Sequence, residues 1–136
     1  MATRQEKYPE TKTFHYYNAN PKNRITGDCT FRAIALATGK SWESVVREFT
    51  ELMIQTGYYD SRPSFTTRFL SQYGWVKHPQ PRHADGTKFT VRELAKSSKQ
   101  TMIVTMANHM VCIKGGKVWD IWDCGDKCVG NYWTKE

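Results

Sequence analysis

The sequence predicts an α+β domain, with helices first and an antiparallel sheet second. Three observations carry this. Residues 28–39 run from Asp28 through the Ala-rich Cys29-Thr30-Phe31-Arg32-Ala33-Ile34-Ala35-Leu36-Ala37-Thr38 to Gly39, a start signal, an apolar interior and a stop. Residues 41–57 and 64–74 repeat apolar side chains at helical spacing. From Thr101 onward the chain turns β-branched, and two strand-like runs flank Gly115-Gly116.

Taken in order, residues 1–12 are polar, contain Pro9, and read as a loose tail ahead of a single domain over 13–136. Thr13-Phe14-His15-Tyr16-Tyr17 reads either as a strand or as an aromatic segment lying across the fold, and Asn18–Asn23 is turn chemistry. Arg32 is the only charged residue inside the first helix, so most sides of that helix are expected to be buried, with Arg32 meeting a carboxylate inside the fold. The second helix follows Ser41 and carries Val45, Val46, Phe49, Leu52 and Met53; the third carries Phe65, Phe69 and Leu70. Trp75–Lys77 is a short strand and 78–86 a loop. Thr90-Val91-Arg92-Glu93 is a capping box before a short helix. Strands then follow over 101–106, 108–114 and 117–123, and the segment 129–133 adds a last one.

The chain has 136 residues, enough for one ordinary core, and 13% aromatic side chains supply large burial area. This excludes a disordered chain. No apolar run approaches a bilayer span and the first residues show no apolar leader, so the expectation is a cytoplasmic protein with no membrane partner. Net charge is +7, with the basic residues scattered. Such a balance permits an acidic protein or peptide, a nucleic acid or an anionic surface as partner without choosing among them, and no recognition motif supports nucleic acid.

Of Cys29, Cys112, Cys124 and Cys128, only Cys29 stands where a thiol gains reactivity. It opens a helix, whose unpaired N–H groups stabilise a thiolate and can receive an oxyanion. Asp28 beside it opposes the thiolate. His109 begins a late strand and is the natural base. A third group must hold its imidazole, and Asp120 and Asp123 both follow on the next strand. A two-residue Gly115-Gly116 loop would set Asp120 opposite Val111, with a carboxylate in mid-strand. A three-residue loop over 115–117 would set Asp123 opposite His109 and leave every other inward position apolar. Because an unpaired buried carboxylate costs several kcal/mol at order of magnitude, the second register and Asp123 are expected.

Gly27-Asp28-Cys29 opening a buried helix, His109 at the start of a late strand and Asp123 at the end of the next together resemble the papain-like cysteine peptidase superfamily, over roughly residues 20–125. The resemblance implies a papain-like α+β fold with a buried central helix on a C-terminal sheet. It implies a thiol protease-type hydrolase without cofactor or metal, in which Cys29, His109 and Asp123 cleave an amide or isopeptide bond in a protein or peptide substrate. An amide side chain six positions before the cysteine assists the oxyanion hole in many such enzymes; that position is Asn23. Gly27–Ile34 is also locally similar to the nucleophile segment of ovarian-tumour-type deubiquitinases, and Gly116–Asp123 is similar to small proteins of bacteriophages and Gram-positive bacteria.

Two rival readings compete. His109, Cys112, Cys124 and Cys128 could supply four zinc ligands, although His109 and Cys112 alternate to opposite faces of a strand. A non-catalytic papain-like module could instead bind a protein or a nucleic acid, using the aromatics for stacking. Trp119 and Trp122 read as packing residues; His15, His78 and His83 read as solvent-facing.

Overall fold

In the computed structural model, which describes residues 2–59 and 63–136, the chain is mixed α and β around one six-stranded sheet. The elements are α1 (Arg4–Lys7), β1 (Phe14–Tyr16), α2 (Cys29–Thr38), α3 (Trp42–Thr56), α4 (Pro63–Ser71), β2 (Trp75–His78), α5 (Val91–Ser97), β3 (Met102–Met106), β4 (His109–Lys114), β5 (Lys117–Asp120) and β6 (Tyr132–Lys135). The strand order is β1-β5-β4-β3-β6-β2.

Helix boundaries follow the local chemistry. Ser41 caps α3 by accepting from Ser44 N–H, and Gly57 ends it in the left-handed conformation, φ 77°. The capping box of α5 is present in both directions between Thr90 and Glu93. α2 ends at Gly39, φ 76°, as expected, but Asp28 makes no side-chain cap to it.

Two expectations need correction. The sheet is not built from the C-terminal half alone, since β1 and β2 join it from the helical half, and it is not wholly antiparallel, since β1 runs parallel to β5. The tail is also less loose than its composition suggests. Thr3 caps the single turn of α1, Arg4 Nε donates to the Ile121 carbonyl at 2.8 Å, and Tyr8 packs on Phe14. Local polarity cannot show such long-range anchors.

Both faces of the sheet are covered. One buries Ile103, Met110, Cys112 and Trp133 under α2, α3 and α4, with Phe49 contacting Phe65 and Phe69 at 5.0 Å. The other buries Met102, Val104, Val111, Ile113 and Val118 under α5 and the 121–129 segment. Successive residues of β3 and β4 alternate between the two clusters, the period-2 rule in a sheet buried on both sides. α2 lies against β4, and the two meet where α2 begins and β4 begins.

Candidate active site

Cys29 is the first residue of α2 and is partly buried. Asp28 holds the cap position with φ −105° and ψ 24°, and its carboxylate turns away from the helix N–H groups. Its Oδ1 accepts from Arg32 Nε at 2.8 Å; its Oδ2 accepts from Asn20 Nδ2 and from Trp42 Nε1, both at 2.9 Å. No side-chain cap therefore occupies the first-turn N–H groups around Cys29, which leaves donors for an incoming acceptor.

Two tight turns bring the other two groups together. Met106 pairs with His109 across Ala107-Asn108, with Asn108 at φ 58°, so His109 is the first residue of β4. Lys114 pairs with Lys117 across Gly115-Gly116, and both glycines are left-handed, φ 60° and 81°. That is the pattern of a type I′ turn, which non-glycine residues resist and which matches the twist of the flanking strands. Cys112 lies opposite Trp119; one pair further puts Asp120 opposite Val111. His109 and Asp120 are then diagonal neighbours on one face. His109 Nε2–H donates to Asp120 Oδ2 at 2.5 Å.

The three-residue register and the assignment of Asp123 are thus corrected: the partner of His109 is Asp120. The argument for Asp123 assumed that a mid-strand carboxylate would be unpaired. Asp120 is 1% exposed, but its Oδ1 accepts from Arg32 Nη1 at 2.5 Å and from Ile121 N–H at 2.7 Å. Asp123 instead lies in the segment after β5, where its Oδ1 accepts from Gly125 N–H at 2.9 Å and its Oδ2 stands 3.7 Å from Arg92.

Burial alone pushes the Cys29 thiol up, yet the net direction is down. The hydrogen bond to His109 and the imidazole's charge outweigh burial, helped by the Met110 backbone and the Arg32 charge. Burial likewise pulls His109 down, but hydrogen bonds to Asp120 and Cys29 and the charge of both raise it to about 9. Both directions shift the shared proton from the sulfur toward the imidazole. Trp122 packs on the imidazole, ring centres 5.0 Å apart, and limits its rotation. Asp28 opposes the thiolate less than its place in the sequence suggests, because Arg32, Asn20 and Trp42 all engage its carboxylate.

Asn23 lies exposed in the loop before α2 with φ 54°; its Oδ1 accepts from Asn18 Nδ2 at 3.2 Å, so its amide oxygen closes that loop. The four donors of the rival zinc reading do not come together: Cys112 faces the α2 side of the sheet and Cys128 is exposed. Among the described residues, His109, Asp120 and Cys124 do bring donor atoms within 4.8 Å of one another. They fit an ion-pair network better than a coordination sphere. Both Asp120 oxygens are engaged, and a cation there would meet the Arg32 guanidinium. Burial and the nearby Asp120 and Asp123 charges also push the Cys124 thiol up.

No family model matches this chain, and neither a curated protein nor a solved structure matches it. The site therefore rests on its own geometry. Sequence reasoning weighed Asp120 and preferred Asp123, and it did not single out Asn20 or Trp42 as site residues. A usable signal was present: Arg32 is a lone charge in an apolar helix, one turn after Asp28, and a buried guanidinium calls for more than one carboxylate oxygen.

Proposed function

We propose that the protein is a cysteine-nucleophile acyl-transfer enzyme of papain-like type, hydrolysing an amide or isopeptide bond in a protein or peptide. The observation that carries this reading is the single imidazole of His109, hydrogen-bonded to the Asp120 carboxylate and close enough to the Cys29 thiol to draw its pKa down.

Mechanism follows from that geometry. Nε2 is committed to Asp120, which leaves Nδ1 as the ring nitrogen for the thiol. The Cys29 thiolate attacks the carbonyl carbon, a C–S bond forms, and the carbonyl oxygen takes the negative charge. The uncapped N–H groups at the start of α2 receive that oxygen, with the Cys29 N–H first among them. His109 gives its proton to the leaving nitrogen, the C–N bond breaks, and an acyl-thioester remains. Water then gives a proton to His109 and attacks the thioester, releasing the acid and restoring the pair. Asp120 holds the tautomer throughout.

An activated ester such as p-nitrophenyl acetate tests this without knowledge of the natural substrate. The expected result is a burst of one equivalent of p-nitrophenolate, with acetyl on Cys29 by peptide mass spectrometry. A protein acetylated no faster at Cys29 than at the exposed Cys128 would not be this enzyme.

A further inference from the structure

Arg32 lies between the two carboxylates of the site. Its side chain is 6% exposed; Nε donates to Asp28 Oδ1 at 2.8 Å and Nη1 donates to Asp120 Oδ1 at 2.5 Å. Asp28 is itself held by Asn20 from the preceding loop and Trp42 from α3. Asp120 is held through its backbone too, by pairing with Tyr16 and by accepting from Tyr17 N–H at 3.0 Å. The order Asp28, Arg32, Asp120, His109 thus runs from the cap of α2 through the end of β5 to the start of β4, where the imidazole stands beside Cys29, the first residue of the same helix.

Resting on the reading of Cys29, His109 and Asp120 as a triad, we infer that Arg32 is a positioning residue: anchored by Asp28, its planar fork fixes the Asp120 carboxylate so that Oδ2 holds the His109 ring against Cys29. A carboxylate at a strand end can rotate about its terminal torsion, and one oxygen must point at the imidazole for it to orient the ring. Arg32 and the Ile121 N–H occupy Oδ1, which leaves Oδ2 for Nε2. A guanidinium does this where an ammonium would not, because its donors point in fixed directions and meet two carboxylates at once. The same cation lies close enough to favour the Cys29 thiolate.

The charged and titratable groups facing this network are few. From the cap and first turn of α2 they are Asp28 and Cys29, from β4 His109, from β5 Asp120, and from the following segment Cys124, with Asp123 next to it. Arg32→Lys keeps the charge and removes the fork, so it separates geometry from field. The readout is the rate of Cys29 alkylation by iodoacetamide against pH, which reports the thiolate and needs no substrate.

For a folded Arg32→Lys protein the expected result is a midpoint moved toward an ordinary thiol, with alkylation near pH 6 slower by about tenfold, the effect of a one-unit rise in thiol pKa. If Arg32→Lys does not fold, the pair Arg32→Gln with Asp28→Asn removes one cation and one anion together, and the same slowing is expected. A folded variant of either kind with the wild-type profile overturns the proposal and leaves Arg32 a structural ion pair. Wild-type Cys29 that alkylates like Cys128 at every pH is a different failure, that of the triad reading itself.

Discussion

Cys29 and Cys124 both stand beside His109, and their thiols are driven in opposite directions. Cys29 is partly exposed, opens a helix, and lies within the influence of the imidazole, and its thiol goes down. Cys124 is 1% exposed, lies within 4.8 Å of the same histidine and of Asp120, and its thiol goes up. Burial opposes the thiolate at both. The difference lies in what else each thiol meets: the imidazole, the Met110 backbone and the Arg32 charge at one, the carboxylates of Asp120 and Asp123 at the other. Nearness to a histidine does not make a nucleophile; the sign of the remaining field decides.

The largest expected effect is at Cys29. Cys29→Ala should abolish the p-nitrophenolate burst while Cys124→Ala leaves it in place. A burst that survives in Cys29→Ala and disappears in Cys124→Ala would invert the comparison.

Next is the carboxylate. Asp120→Ala leaves Arg32 with one carboxylate and His109 with no carboxylate, and truncating one side of a buried charge pair costs about 3–5 kcal/mol. Asp123→Ala removes a half-buried contact at 3.7 Å from Arg92 and should cost about 1 kcal/mol or less. Urea midpoints of the two variants measure both. Equal losses would mean that Asp120 is not the paired carboxylate of the core. Asp120→Asn should slow Cys29 acylation less than His109→Ala, since an amide oxygen can still orient imidazole.

The same residues show what was legible in the sequence. Cys29 and His109 could be found because each signal is local: a helix start, and a strand start before a hairpin. The helices and the Gly115-Gly116 turn were equally plain. The choice of Asp120 over Asp123 was not, because it turned on the partner of a buried carboxylate. That partner, Arg32, is 88 residues away. Treating the lone charge in α2 and the lone carboxylate in β5 as one problem would have matched them, and the glycine pair already favoured the two-residue turn. β1 inserted parallel to β5 was out of reach, since nothing within a three-residue strand announces a pairing partner so distant in sequence.

pH dependence sharpens the comparison further. His109 is raised in the folded chain from 6.5 to about 9, so its contribution is complete below 6.5 and is lost as pH rises through about 9. Cys29 is lowered from 9.0, so its contribution is complete above 9.0 and is lost as pH falls through its folded value. Between about 6.5 and 9 the two slopes oppose, because the proton gained by the imidazole is the one given up by the thiol. Wild-type stability should therefore fall less with rising pH than that of a variant without the thiol. Cys29→Ala leaves His109 raised by Asp120 alone, and its stability should fall by about 1 kcal/mol between pH 6 and 8.5. Urea midpoints of both proteins at those two pH values measure it; parallel curves would mean that the two groups do not share a proton.

The smallest effect expected is at Cys124. Its thiol is protonated at neutral pH and packs with Val91 and Val129 in the cluster under the sheet. Cys124→Ala removes one buried sulfur, and the stability loss should be about 1 kcal/mol, the scale of a small core truncation. The field on Cys29 is unchanged, because a neutral thiol contributed little to it. Cys29 alkylation near pH 6 should then stay within about twofold of wild type, less than a third of a unit in thiol pKa. A tenfold change in either direction would show that Cys124 acts on the His109–Asp120 pair, and the two thiols would have to be treated as one site.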